Sequence, residues 1–320
     1  MNTDHKFIVE ASTDRLDTFL ARMTSKSRAL IKEEIESGNV QLDGVTCKKA
    51  SQKLKIGSSV SIRFSEVAPS SLLPVSFPLE VLYEDEYLLV INKPQGVVTH
   101  PAIGHRGETL VHYLLSHLSN KIGFSDLSAE RPGIVHRLDK GTSGVILIAK
   151  DRQTQELLSN QFKNRETKKE YEALAWGKML LEGRMNTPIG RGKNNRQKMS
   201  SRSEKTRSAL TLWKTIKHYK HFTHVALFPH TGRTHQLRVH LTESGHSIVG
   251  DTTYGGANKH NRFPKMNENI SHFIAPIEET FLHAKSLTFT HPHTNQTLTI
   301  TAPRPKIFED LLTLLEKFDL

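Results

Sequence analysis

The residues best placed to do chemistry lie between Arg131 and Lys150, RPGIVHRLDKGTSGVILIAK. The acidic side chain in that run, Asp139, falls between a short apolar piece and a turn, Lys140 to Gly144, which leads into a strand pattern. A carboxylate at a strand end beside a glycine-rich turn can be held rigidly and still be reached by a ligand. Such a group could attack an electrophilic carbon or take up a proton. The same residues also suit a structural role, in which Asp139 caps the turn while Thr142 and Ser143 satisfy backbone groups. Spacing alone leaves both readings open.

Other polar clusters carry less. His230, His235, His240 and His246 stand close together, but no HExxH or tight His–carboxylate spacing accompanies them, so no metal is expected. The HRLD tetrapeptide superficially matches a kinase catalytic loop. The glycine-rich phosphate loop, the DFG triplet and the following Asn are missing, so that chemistry is set aside.

The elements that would hold Asp139 are read from periodicity. Arg15 to Met23 and Ser27 to Ser37 have helical spacing, with Gly38 ending the second helix. Val40 and Leu42 alternate, Asp43-Gly44 is a hairpin-turn pair, and Val45, Cys47 and then Val60, Ile62 and Phe64 continue the strand pattern. Residues 1–64 thus form a small α/β unit. The Pro- and Ser-rich stretch 65–78 reads as a linker, and residues 79–320 form a second domain. There, Val81 to Tyr83, Leu88 to Ile91, Gly144 to Ala149, Thr223 to Leu227, Gln236 to Leu241 and Thr297 to Thr301 read as strands. Thr109 to Leu118, Arg152 to Lys163 (Leu157, Leu158 and Phe162 inward) and Leu311 to Phe318 read as helices. Strands with interspersed helices but no regular alternation make the fold class α+β.

The bulk composition bounds the partners. Lys and Arg number 44 against 33 Asp and Glu, a formal charge of +11 over 320 residues, which favours a polyanion through counterion release. A single cysteine, Cys47, excludes an intramolecular disulfide and a cysteine metal cluster. No signal-peptide pattern opens the chain and no apolar stretch is long enough for a bilayer span, so a cytoplasmic location is expected.

Several ordered segments resemble the RluA family of RNA pseudouridine synthases. HRLD-x-x-TSG (His136 to Gly144) matches its signature. EDEYLLVINKPQGVVTHP (Glu84 to Pro101) resembles its first motif, and Lys169-Glu170-Tyr171-Glu172-Ala173 its K-x-Y-x-A motif. GRTHQLRVHL (Gly232 to Leu241) with GHSIVGDTTYGG (Gly245 to Gly256), and LHAKSLTFTHPHT (Leu282 to Thr294), resemble the later ones. The first unit, with RLDTFLA, SRALIKEEIESGNVQLDG and KLKIGSSV, is similar to the small RNA-binding domain named after ribosomal protein S-four. That domain precedes the catalytic domain in the subgroup that includes RluC and RluD.

The resemblance implies a central mixed, mainly antiparallel sheet flanked by helices and loops. It also implies isomerisation of uridine to pseudouridine in structured RNA, without a cofactor. The catalytic residues it implies are Asp139, Tyr171 packing on the target base, and Arg233 pairing with Asp139. Arg137 would fill the gap left by the flipped nucleotide, and His136 beside it would be a further RNA contact. Further RNA contacts would come from Lys26, Arg28, Lys48 and Lys49 in the first unit. In the basic run Gly190 to Arg207, read as a mobile RNA-clamping loop without a core of its own, they would come from Arg191, Lys193 and Arg196. Gly141 departs from the family, which usually carries an acidic residue there. Large-subunit (23S) ribosomal RNA is the expected target and a monomer the default state. The alternatives are a transfer RNA substrate or a non-catalytic RNA-binding, ribosome-assembly protein.

Overall fold

The computed structural model describes residues 4–10, 15–24, 26, 28–64, 73–101, 107–118, 132–192, 198–257 and 266–319. The chain divides into two units, Met1–Ser71 and Leu72–Leu320.

The first unit runs β1 (Asp4–Ile8), α1 (Leu16–Thr24), α2 (Arg28–Glu36), β2 (Val40–Leu42), β3 (Val45–Thr46) and β4 (Ser59–Arg63). Its four strands pair in the order β1-β4-β2-β3. Leu16, Phe19, Leu20, Ile31 and Ile35 of the helices pack on Val40, Val60 and Ile62 of the sheet. Asp43 and Gly44 both have positive φ, 52° and 81°, as the two central residues of a tight hairpin require. Periodicity had not marked β1, which pairs with β4 from Asp4 to Ile8. Asp17 receives Arg28 at 2.7 Å and Arg15 at 3.0 Å. Its carboxyl is held down at about 2 because these hydrogen bonds and charges outweigh a burial effect that acts the other way.

The second unit continues with β5 (Glu80–Glu84), β6 (Leu88–Lys93), α3 (Leu110–Leu118), β7 (Ser143–Ala149), α4 (Arg152–Asn164), β8 (Lys168–Trp176), β9 (Glu182–Met185) and β10 (Ile189–Arg191). Then come β11 (Met199–Ser200), β12 (Thr206–Arg207), β13 (Thr211–His218), β14 (Phe222–Pro229), α5 (Gln236–Glu243), α6 (Glu268–Ile274), β15 (Leu282–Thr290), β16 (Thr297–Thr301) and α7 (Lys306–Phe318). A nine-stranded sheet has the order β5-β6-β7-β15-β8-β14-β13-β9, with β16 on β15. Among its described pairings only β7 with β15 is parallel. This is the mixed, mainly antiparallel α+β arrangement that the sequence suggested.

Strand β7 is buried along its whole length because both of its faces are covered. Ile146 and Ile148 meet Leu110, Leu114 and Leu118 of α3. Val145, Leu147 and Ala149 turn to the other face, where Leu158 of α4 packs. Over β8 and β14 a third core gathers Leu237 and Leu241 of α5, Ile270 and Ile274 of α6, and Phe308, Leu311 and Leu315 of α7.

Several expectations need correction. Gln236 to Leu241, read as a strand, is helix α5, with all six residues buried. A helix enclosed on every side has no polar face to reveal its period. Leu157 of α4 is 39% exposed, whereas Leu158 is fully buried. Within the stretch read as a linker, Phe77 stacks on Tyr113 of α3 at 4.3 Å and the Val75 amide donates to His112. The basic run after Gly190 is not simply a loop: its described parts form the small sheet β11-β10-β12. Ser200 Oγ and the Ser201 amide fasten that sheet to Glu243 at the end of α5.

Gly144 opens the parallel pairing with β15 at φ 111°, and a Cβ there would lie 2.2 Å from the Ala284 carbonyl oxygen. Gly144→Ala is therefore expected to cost about 2 kcal/mol or more, read as a lower urea midpoint for the larger unit. An unchanged midpoint would show that the strand can shift away freely.

Candidate active site

Asp139 stands in the segment that runs from Pro132 into β7. Ile134 bridges to Ile148, and the Ala149 amide donates to Gly133, so the segment doubles back along its own strand. The turn closes with the Thr142 amide on the Asp139 carbonyl at 3.0 Å. The motif after β6 braces it from the other side. Thr99 Oγ1 donates to the Leu138 carbonyl at 2.8 Å, the Gly96 amide donates to Lys140, and Gln95 Nε2 donates to Gly141 and Thr280. A Cβ on Gly141 would meet Thr280 Oγ1 at 3.0 Å, so an acidic residue here would require that hydroxyl to move.

Lys93, fully buried at the end of β6, donates to the Pro94 and Val97 carbonyls at 2.8 and 2.9 Å. Burial pushes its ammonium down to about 7, while Asp139 pulls the other way.

The carboxylate opens on a cleft of about 290 Å³ whose walls include His136, Arg137, Lys169, Tyr171, Arg233, His235 and Arg238. Asp139 Oδ2 accepts from Arg238 NH1 at 3.2 Å. The same guanidinium sends Nε and NH2 to Asp251 Oδ2 and Oδ1 at 2.7 and 2.9 Å, a bidentate fork on a carboxylate with no exposure. Burial opposes the charge of Arg238, but the hydrogen bonds from Asp251 and the charges of Asp251 and Asp139 raise its pKa further. Tyr171 presents its ring to the cleft from β8. Burial first, and then the charge of Asp139, drive its hydroxyl's ionisation above the ordinary range. It enters the cleft as a neutral phenol.

The sequence expectation for Arg233 is corrected by this geometry. Arg233 lines the cleft, but its Nε donates to the Ser208 carbonyl at 3.1 Å and its backbone amide caps on Gln236 Oε1. The partner of Asp139 is Arg238, five residues further along in the first turn of α5, and its guanidinium reaches both acids. The missed signal was a charged residue between Leu237 and Val239, since a charge within an apolar run needs a built partner.

Arg137 is exposed at the cleft. His136 is not available as an RNA contact through Nε2, which accepts the Leu147 amide at 2.9 Å while the ring stacks on Phe162 at 4.5 Å. Burial pushes its pKa down to about 3. Arg191 is exposed on β10, and Lys193 and Arg196 lie outside the described residues. In the first unit Lys26, Lys48 and Lys49 are exposed, and Arg28 is exposed while paired with Asp17.

A family model described as RNA pseudouridylate synthase matches residues 87–243, and an S4 domain model matches residues 14–60. An uncharacterized RNA pseudouridine synthase of Synechocystis is 36% identical, covering 95% of this chain and 89% of its own. The chain belongs to the RNA pseudouridylate synthase family. A Zymomonas mobilis protein named ribosomal large subunit pseudouridine synthase D is 35% identical, covering 94% of this chain and 93% of its own. Among solved structures, human RNA pseudouridylate synthase domain containing 4 superimposes on the synthase with TM-score 0.58 at 26% identity, covering 74% of this chain and 93% of that one. The synthase is thus an isomerase with an RNA-binding S4 domain.

Two outcomes follow. Arg238→Lys leaves one ammonium where a fork bridged two acids, so kcat is expected to fall about 100-fold or more, with Arg233→Ala milder. An equal loss in both variants would refute the reassignment. For His136, lowered from 6.5 to about 3, the unfolded chain binds more protons in that window, so its share of stability is complete above 6.5 and is lost as pH falls towards 3. His136→Gln is expected to flatten that acid loss in unfolding measured across the window, and an unchanged slope would count against the assignment.

Proposed function

We propose that the synthase modifies uridines of large-subunit ribosomal RNA, with Asp139 acting on the ribose of a flipped nucleotide. The observation that carries this reading is the carboxylate of Asp139, 17% exposed at the cleft and tied on one oxygen to Arg238. Its other oxygen, Oδ1, accepts no hydrogen bond from the described residues.

The reaction breaks the bond from C1′ to N1, turns the base, forms a bond from C1′ to C5, and transfers the C5 proton away while N1 regains one. Atoms and electrons balance without redox, so no cofactor is required. Oδ1 is the oxygen available either to attack C1′ or to take the C2′ proton and give a glycal. The negative charge of Asp139 also stabilises positive character on the sugar, as in glycoside cleavage. Tyr171, neutral and facing the cleft, packs on the detached base and keeps it in place while it turns. Arg137, exposed and planar, suits the space the extruded nucleotide leaves, at a flipping cost of roughly a few kcal/mol.

The target follows from relatives named for the large ribosomal subunit, at 35% identity over more than nine-tenths of the chain. The exposed cations of the first unit, Lys26, Arg28, Lys48 and Lys49, suit a phosphate backbone and would add affinity for RNA without reading bases. A cytoplasmic monomer completes the reading. Among the described residues no helix is long and apolar enough to cross a membrane.

Pseudouridine mapping of total RNA from cells with and without the gene tests the target, and loss of large-subunit sites is expected. Loss confined to transfer RNA would move the target, and loss of no site would overturn the reading. Asp139→Asn is expected to make no product while binding RNA within about twofold of the parent, since a carboxylate makes no phosphate contact that the change would remove. Persisting product would remove Asp139 from the chemistry.

A further inference from the structure

His235 lines the cleft, and the reaction so far leaves it unused. It sits at φ 55°, in the left-handed region, immediately before α5 and with no capping hydrogen bond from its side chain. Backbone in that region persists in a non-glycine residue when the surroundings demand the side-chain position it gives. The imidazole runs between two partners. Nε2 lies 3.9 Å from Asp139 Oδ2, the oxygen that Arg238 also holds. Nδ1 lies 2.9 Å from the hydroxyl of Tyr254.

That hydroxyl bears on the tautomer. The Tyr254 oxygen already accepts the backbone amide of Met199 from β11 at 2.8 Å. A phenol has one proton, and of the partners described around this oxygen the acceptor is Nδ1 of His235. A Tyr254 proton given to Nδ1 puts the imidazole's own proton on Nε2, the nitrogen on the Asp139 side. The groups facing the ring are Asp139 and Asp251, which favour a second proton, and Arg238 and Arg137, which oppose it. Burial, the largest influence, lowers the pKa of the ring, so it is a neutral donor. The Tyr254 ring also lies over the guanidinium of Arg238, its centroid 5.0 Å from Cζ. Its backbone amide donates to Asp251 Oδ1 at 3.0 Å. One tyrosine thus touches both groups that approach Oδ2.

We propose that His235 and Tyr254 are positioning residues for the isomerisation: Tyr254 holds His235 as the Nε2–H tautomer, and His235 with Arg238 fixes Asp139 Oδ2 so that Oδ1 meets the ribose. The inference rests on Asp139 being the carboxylate that acts on the sugar. The 3.9 Å separation belongs to the free protein, and catalytic hydrogen bonds often tighten only once substrate closes the site.

The test combines a double-mutant cycle with ¹⁵N NMR on the full chain labelled at histidine. His235→Asn, which tolerates left-handed backbone, is expected to lower kcat about 10- to 100-fold with KM for RNA within about twofold. Tyr254→Phe keeps the ring over Arg238 and removes only the hydroxyl, so a loss of about 5- to 10-fold is expected. The double variant should be no slower than His235→Asn alone, because Tyr254 acts through His235. The ¹⁵N shifts of His235 should report Nε2–H in the parent and a tautomer mixture in Tyr254→Phe. Additive losses, a loss confined to KM, unchanged kcat in His235→Asn, or an Nδ1–H tautomer in the parent would each overturn the proposal. If the parent makes no pseudouridine on any RNA, the proposed function fails, while the tautomer measurement still decides the Tyr254 relay.

Discussion

Arg238 is buried between two carboxylates, and the arrangement of the larger unit around the cleft answers to that fact. Its side chain is 10% exposed, that of Asp251 is not exposed at all, and that of Asp139 is 17% exposed. A charge taken this far out of water is tolerated only with an excellent partner, and removing one member of such a pair costs about 3–5 kcal/mol. Asp251 supplies that partner through a two-point fork, reinforced by the Thr253 and Tyr254 amides on its own Oδ1. The three side chains together carry one net negative charge, and the carboxylate at the cleft is the one that can present it. Asp251 offsets the guanidinium, and in the proposed reaction Asp139 remains available to a sugar that becomes cationic.

The fold brings these three residues together from distant parts of the chain. Asp139 comes from the turn before β7, Arg238 from the first turns of α5, and Asp251 from the segment between α5 and α6. Gly144 lets β7 approach β15 backbone to backbone, and Thr99, Gln95 and Gly96 brace the turn from behind. Lys93, at the end of β6, donates to two carbonyls of the segment that follows it. Each support reaches the turn through a backbone carbonyl, or packs against it as backbone. The Asp139 side chain is therefore left to Arg238, His235 and the cleft.

What the sequence disclosed depended on whether an element kept one face in contrast with the other. The strands β5, β6, β7, β14 and β16 and the helices α3, α4 and α7 all show in the apolar pattern, as does the Asp43-Gly44 hairpin. Helix α5 did not, because Leu237, Val239 and Leu241 alternate as in a strand while Gln236, Arg238 and His240 are buried as well through specific hydrogen bonds. The pairing of Arg233 with Asp139 came from the resemblance, and the motif that carries it, Gly232 to Leu241, holds both Arg233 and Arg238. Asp139 and Tyr171 were legible because their motifs are contiguous, whereas Asp251 matters only through a contact made across 13 residues. The strands of the small basic sheet escaped notice because they are two or three residues long, and their anchor is a glutamate on another element.

In the proposed reaction Asp139, held on Oδ2, offers Oδ1 to the target sugar. The most direct measurement is a crystal structure of the Asp139→Asn variant bound to an RNA that carries its target uridine. The nucleotide is expected to be flipped into the cleft, with C1′ or C2′ about 3–3.5 Å from one side-chain atom of residue 139, Arg238 against the other, and Tyr171 stacked on the base. A uridine that remains stacked in the RNA, or a ribose seated against Arg233 and away from residue 139, would contradict the account.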